Sequence, residues 1–531
     1  MILFLPSILL FLTASGIAWL QRFRPRFAGS WLVAVTGSLL AVISLIYLRF
    51  HLPSATILLA WQQKGLEIGD PALYLDYYSW PYAFSVTVLM FAIVLSSPMV
   101  MRSRAELVNL AGSLAICGVS LIPIMAGNPA TILLGWSALD LVEVIVLLRN
   151  NPRGSANQRI IRGFMFRFLG SLIAFWAFIL VNKNRGVLEN FAQITPWMGL
   201  ALLLAASLRL GVVPAHIPYG EQVNIRRSQG NVFRFTAAAS SLVLLSRIPV
   251  ETYQLPIIGL LKFVIFIAVG YGTLKLLRTT VELDSRPYWV LALSGLALLA
   301  SISGATFGAA NLGVTLILIG GLIYMQPAVT RSSRWLVYLG IVLAMGLPYS
   351  PSAAGLAGLM ASPSLAEELG ALILFSLVIA AFVQRGRSKA DLHGGEERIV
   401  YLTHPLSQVV ILAAYVGIGL FGWPGSFTPG AWSAVILAAA ITAVIILIRK
   451  PLFTAYQYIF SRLKLRLGRS GLPEKIRKYL SRINLNGIRV TLISIVRNLV
   501  VGVSFLLEGP VGLLWGLILM VILVMAVGGA R

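Results

Sequence analysis

Apolar runs about as long as a bilayer is thick recur along this chain from its first residue, each closed by a short polar loop. A helix needs roughly 20 apolar residues to cross a hydrocarbon core of about 30 Å. Applied here, that criterion predicts spans near 1–20, 28–50, 79–99, 107–126, 129–148, 163–182, 196–225, 233–247, 254–274, 288–304, 308–326, 335–350, 368–384, 405–422, 431–448 and 511–529. The run at 196–225 is interrupted, because Pro214 disturbs any helix passing through it. Between Pro451 and Glu508 cations such as Arg462, Lys464, Lys475 and Arg482 alternate with Leu, Ile and Tyr. That is the composition of a helix lying in the interface. It fits a basic surface tail held by anionic lipid and a lateral helix resting on neighbouring spans or another subunit equally well. The expected organisation is a transmembrane core over 1–450, the basic amphipathic segment over 451–508 and a final membrane helix over 509–531.

Composition agrees with an all-α polytopic membrane protein of about sixteen helices: the 531 residues are 58% hydrophobic and 11% charged. A soluble enzyme is excluded on hydropathy. A formal charge of +24 would suggest nucleic acid in a soluble protein, but the cations cluster in alternate loops between spans. Arg22, Arg24 and Arg26 follow the first span, Arg102 and Arg104 the third, Arg149, Arg153 and Arg159 the fifth, and the alternation continues to Arg449 and Lys450. The positive-inside rule assigns those loops to the cytoplasm, so nucleic-acid binding is discarded. A multi-pass protein of the cell (plasma) membrane follows, with both chain ends expected on the non-cytoplasmic side. The first span lacks the charged start and small-residue cleavage site of a signal peptide and is expected to be retained.

Several chemistries are missing. The single cysteine, Cys117, lies in an apolar run and reads as a small apolar filler. The four histidines, His51, His216, His393 and His404, have no ligand spacing. Phosphate-loop and dinucleotide fingerprints are absent. No catalytic residue, cofactor or metal site is expected, and redox or nucleotide chemistry would lie on other chains.

Several stretches, in order over roughly 450 residues, resemble the antiporter-type membrane subunits of respiratory complex I and of Mrp-type cation/proton antiporters. LYLDYYSWPYAFSVTVLMFAIVLSS is similar to an early span of that family opened by a short Leu-Asp sequence. ILLGWSALDLVEVIVLL resembles its Gly-Trp-Glu span, and ANQRIIRGFMFRFLGSL, with Arg162 before a glycine, the segment that follows. LRLGVVPAHIPYGEQ resembles the broken span with its lysine and proline, DSRPYWVLALSG the stretch leading into a later span, and LAMGLPYSPSAAGL the Gly-x-Pro-Pro turn of the second half. The amphipathic segment before a last span is similar to the lateral helix of the largest of these subunits, though shorter. The resemblance implies two inverted five-helix repeats, each with a broken helix, where transporters place ion sites.

The resemblance also implies roles, and this chain departs from some of them. Arg209 stands where the family carries a lysine five residues before the proline, here Pro214. The partner glutamate after tryptophan is missing, because Trp136 is followed by Ser137. Asp140 and Glu143 lie one and two helical turns further on. At about 1.5 Å per residue, Asp140 is roughly 17 Å and Arg209 roughly 20 Å from the start of their spans, so the two are expected to meet. A charge near mid-membrane costs about 2.5–3.5 kcal/mol, and such groups pair within the bundle and often mark an ion route. A guanidinium stays protonated where a buried lysine releases its proton, so Arg209 is expected to hold or bias a carboxylate. A clamp between two helices and a working gate both remain open.

The other candidates are weaker. His216, between Pro214 and Pro218, reads as a proton shuttle at a wet break or as a loop histidine capping carbonyls. Lys262 reads as a pathway cation or a snorkelling side chain. Arg234 stands where the family tends to have a histidine and is expected to snorkel to the cytoplasmic face. Asp284 and Arg286 are expected to pair at a loop edge. After Pro351 the sequence SAAGLAGLM has no titratable group where the family places one. Three functions stay in view: a membrane subunit of a complex-I-like or Mrp-like assembly with a partial proton or cation path or a coupling element, a structural scaffold that has lost pumping, and a partner subunit for ion-coupled inorganic-carbon uptake. The implied partners are other membrane subunits, lipid, and protons or monovalent cations.

Overall fold

A computed structural model describes residues 2–23, 29–58, 70–97, 104–150, 154–182, 191, 194–217, 227–279, 281–325, 331–362, 364–386, 398–422 and 432–447. The amphipathic segment and the last span expected from the sequence lie outside these residues. The described chain is almost wholly helical. Its helices are α1 (Leu5–Phe23), α2 (Ser30–Arg49), α3 (Ser79–Leu95), α4 (Arg104–Ile124), α5 (Pro129–Asn150), α6 (Gly154–Asn182), α7 (Pro196–Leu210) and α8 (Arg227–Leu242). They continue with α9 (Ile258–Arg278), α10 (Arg286–Ile302), α11 (Thr306–Tyr324), α12 (Arg331–Ala344), α13 (Pro351–Leu359), α14 (Leu365–Gly386), α15 (Arg398–Gly417) and α16 (Trp432–Leu447). Ten of the described helices are long and apolar enough to cross a bilayer. A two-stranded antiparallel hairpin, β1 (Ser54–Ile57) and β2 (Ala72–Leu75), joins α2 to α3.

Helices apolar on every side occupy the middle, as they must to bury all faces. In the apolar windows of α10 and α11, 94% and 89% of residues are buried, against 39% for α1, α2 and α9. The peripheral three therefore offer one face to lipid, with Leu12, Trp19, Leu40, Leu260 and Phe263 exposed on it.

The packing order recurs. α4 lies against α5 and α8, and α6 against α7; α9 lies against α10 and α14, and α11 against α13. With α7 and its break matched to α12 and α13, each unit comprises five elements that pack in the same order.

Both breaks have a local cause. The Thr195 hydroxyl accepts from the Met198 N–H at the start of α7, with Pro196 in the first turn. α7 ends at Gly211, which adopts φ +76°. Gly211 N–H bonds the Leu208 carbonyl at 3.1 Å and Val212 N–H the Ser207 carbonyl at 2.9 Å, the paired closure that a left-handed glycine permits. At about 1.5 Å per residue its 15 residues span only about 22 Å, so its end lies inside the bundle. The predicted span at 335–350 stops at Ala344, and α13 follows as a half-helix starting at Pro351. The Ser352 hydroxyl donates to the Leu343 carbonyl at 2.8 Å and ties the two pieces together.

Candidate functional site

Three helices build the site. α5 carries Trp136, Asp140 and Glu143, spaced so that they share one face. α6 contributes Arg167 and Ser171, one turn apart. α7 brings Arg209 in its last turn, where unpaired carbonyls and the negative end of the helix dipole favour a cation.

Arg209 grips Asp140 side-on. Nη1 donates to Oδ2 at 2.6 Å and Nη2 to Oδ1 at 2.9 Å. Nη1 also donates to the Ser171 hydroxyl at 2.9 Å and the Arg167 carbonyl at 3.1 Å. The guanidinium carbon lies 4.3 Å from the centroid of the Trp136 ring, within range of a cation–π contact. The Trp136 indole N–H in turn donates to the Ser240 carbonyl of α8 at 3.1 Å. Gly170 makes room for this: a Cβ there would sit 2.8 Å from Arg209 Cγ and 3.0 Å from the Ala205 carbonyl oxygen.

Arg167 extends the pair into a row. It bonds Glu143 directly and stands 3.6 Å from Asp140. Glu143, Arg167, Asp140 and Arg209 thus alternate in sign and are 0%, 3%, 3% and 4% exposed. Two carboxylates facing two guanidiniums carry no net charge, the condition under which buried ions are tolerated.

Beyond Arg209 the chain turns back. His216 N–H bonds the Gly211 carbonyl at 2.9 Å, and its ring stacks on Phe166 with centroids 4.0 Å apart. Nδ1 is 2.9 Å from the Pro214 carbonyl oxygen. A carbonyl only accepts, so Nδ1 carries the proton and Nε2 of the neutral ring is left as an acceptor. Among the described residues Nε2 and Arg209 Nε have no hydrogen-bond partner. Both side chains line a narrow cavity together with Arg167, Leu210, Arg234 and Pro287, with room for one water.

The remaining candidates lie elsewhere. Lys262 on α9 bonds Glu367 of α14 at 3.0 Å, with that glutamate about one-third exposed at 34%, so it belongs to an ion pair at the bundle's edge. Arg162 is half-buried and five residues before Arg167, which turns it some 140° away around the helix. Arg234 is half-buried and lines the same cavity as Arg209 and His216. Arg286 opens α10 at the loop edge but is not paired with Asp284 among the described residues. Side chains two apart do not face each other at a helix start, and the Arg286 guanidinium is buried, 5.7 Å from the Tyr324 ring centroid. Cys117 is buried, as a small apolar filler would be.

Arg167 and Ser171 went unnoticed in the sequence. Their signal is an arginine and a serine four apart, in an apolar stretch, flanking Gly170.

A second polar junction lies between the hairpin and α3. The Asp76 carboxylate accepts from the Tyr78 and Ser79 N–H groups at 3.1 and 2.8 Å, capping α3. It also pairs with Arg247 at 2.6 Å, whose guanidinium lies 5.3 Å from the Tyr74 ring centroid.

No protein-family model matches the chain, and no curated protein matches it. Solved structures do. A chain of the Mrp complex from Dietzia sp. DQ12-45-1b matches with a TM-score of 0.66 at 13% identity, over 94% of this chain and 63% of that one. A chain of respiratory complex I from Thermus thermophilus with bound NADH matches at 0.62 and 18% identity, over 84% of this chain and 100% of that one. A chain of the membrane-bound sulfane sulfur reductase, an archaeal respiratory membrane complex, matches at 0.63 and 13% identity, over 78% and 75%. The chain spans 63% of the length of the Mrp chain it matches. At these identities the likeness is one of fold: this chain shares the architecture of the matched chains of the Mrp complex, respiratory complex I and the archaeal respiratory membrane complex.

Proposed function

We propose that this chain is a membrane subunit of an ion-translocating assembly, in which the row Glu143–Arg167–Asp140–Arg209 acts as a coupling element beside a partial proton path. The observation that carries the reading is a fully buried, charge-alternating row ending on an arginine at the C-terminus of a helix that stops inside the bundle. Unwound backbone at that depth is tolerated only where it is buried in protein or lines a wet cavity, and the cavity at Arg209 and His216 fits the second case.

The guanidiniums keep their protons at any physiological pH, so proton movement falls to the carboxylates and His216. Arg167 bonds Glu143 and stands 3.6 Å from Asp140. A small shift of its guanidinium changes which carboxylate is fully compensated, and the less compensated one becomes the proton acceptor. Water in the cavity would accept from Arg209 Nε and donate to His216 Nε2, linking the row to the break. Other membrane subunits are the partners this reading requires, with protons or monovalent cations as cargo.

A scaffold role without pumping has one observation in its favour. α13, PSAAGLAGL, carries no titratable side chain, so the second unit lacks a counterpart of Arg209 at its own break.

The two readings separate in proteoliposomes containing the native complex. With assembly intact, Asp140→Asn and Arg209→Ala are expected to lower proton flux by tenfold or more. Unchanged flux in both variants would remove the row from transport and leave the scaffold.

A further inference from the structure

A different group of buried polar atoms lies on α15. His404, Gln408 and Tyr415 are separated by four and then seven residues, which places them along one stripe of the helix, and each is fully buried. Neither ring nitrogen of His404 has a hydrogen-bond partner among the described residues, and the same holds for Gln408 Nε2 and Thr403 Oγ1. Gln408 Oε1 accepts from the Ser333 hydroxyl of α12 at 2.8 Å. Pro405 lies inside α15 and has no N–H, so the carbonyl at position 401 loses its helical partner in the same turn.

Buried polar atoms that the protein leaves unpaired are met by internal water. The mixture here decides what else the site accepts. One imidazole beside an amide NH₂ does not make up a metal ligand set, while a neutral imidazole flanked by water accepts a proton on one nitrogen and donates one from the other.

Among the described side chains of the helices packed against α15, no fixed charge faces this imidazole. α15 packs against α3, α11 and α12. The only titratable groups of α3 and α11 are Tyr82 and Tyr324. α12 opens with Arg331, and its Arg334 and Tyr338 are exposed.

The stripe leads to the second break. The Tyr415 hydroxyl shares a hydrogen bond with Thr315 at 3.0 Å and accepts from the Ser352 N–H at 3.1 Å. Ser352 is the residue that ties α12 to α13. Along the helix, His404 and Tyr415 are about 16 Å apart, with buried Ile411 between them.

We propose that His404, with Gln408 and Ser333, forms a second hydrated, proton-exchanging site on α15, separated by Ile411 from the Tyr415–Ser352 junction at the α12–α13 break. The imidazole takes a proton on its unprotonated nitrogen from one water and releases the proton of the other nitrogen to a second, so the ring is regenerated as the opposite tautomer. This site is independent of the Arg209 row, and its test does not depend on transport.

The test is solid-state ¹⁵N NMR of the full chain in its native complex in lipid, with labelled histidine and isoleucine. A His404→Gln sample assigns the ring signals among those of His51, His216 and His393. After transfer to D₂O, the His404 ring N–H is expected to exchange at the earliest time point while the backbone N–H of Ile411 stays protonated. A ring proton that survives as long as the Ile411 amide would overturn the proposal and make His404 a dry core residue. Exchange of ring and amide together would overturn it as well, since it would report opening of α15 and not standing water.

Discussion

Arg209 of α7 and Asp140 of α5 lie 69 residues apart in sequence and meet through two hydrogen bonds of 2.6 and 2.9 Å. Because both are buried, the pair is asymmetric in its energetics. Removing one partner leaves an uncompensated ion, a loss of about 3–5 kcal/mol, whereas replacing both by apolar groups of similar volume is often neutral. Arg209→Met and Asp140→Leu are each expected to lower the unfolding temperature clearly. The double variant is expected to recover most of that loss. A double variant no more stable than either single would show that the two ions do not act as a pair, and thermal melts of the purified protein in detergent read this directly.

Arg209→Lys separates geometry from charge. Lysine keeps the positive charge but loses the fork that bonds both carboxylate oxygens, Ser171 and the Arg167 carbonyl together, along with the flat face over Trp136. Its melting temperature is expected between those of the native protein and Arg209→Met. A lysine variant as stable as the native chain would mean that charge alone holds α5, α6 and α7 together.

Gly170→Ala tests the close approach of α6 and α7. The added methyl carbon meets Arg209 Cγ at 2.8 Å and the Ala205 carbonyl oxygen at 3.0 Å, and the second of these is backbone that cannot swing aside. Overpacking of this kind costs about 1–3 kcal/mol. A lower melting temperature is expected, together with weaker coupling between Arg209 and Asp140 when their double-mutant cycle is repeated in the Gly170→Ala background. Unchanged coupling would place the α6–α7 approach outside the site.

How much of this was legible beforehand depended on spacing. The depths of Asp140 and Arg209 were readable because a helix converts residue number into height, so two charges counted from span starts fall at one level. Arg167 was passed over because the resemblance pointed to Arg162, and no count along one helix says which of two arginines turns inward. The stretch after Pro351 is visible in the sequence as a break but not as a separate helix, because nine residues cannot satisfy a criterion built on spans of about 20.

The Asp76 junction lies at the start of α3 and combines a helix cap with a half-buried ion pair. Losing an N-cap costs about 0.5–2 kcal/mol, and Asp76→Ala loses the partner of Arg247 as well. Asp76→Asn keeps a side-chain oxygen for the cap but gives up the charge. The expected order of melting temperature is native, then Asp76→Asn, then Asp76→Ala. Equal losses in the two variants would assign the whole effect to the ion pair.

Lys262 provides the contrast. Its pair with Glu367 spans α9 and α14, but with the glutamate 34% exposed water screens the attraction, and exposed pairs are worth only about 0–1 kcal/mol. The Ser362 hydroxyl already bonds the same Glu367 oxygen at 2.6 Å, so the carboxylate keeps a partner when the lysine is removed. Lys262→Met is therefore expected to leave both the melting temperature and proton flux of the reconstituted complex close to native values, under conditions where Arg209→Ala lowers flux. A loss of flux in Lys262→Met comparable to that in Arg209→Ala would put an ion step at the α9–α14 edge, and the buried row on α5, α6 and α7 could no longer be the sole charged element that transport depends on.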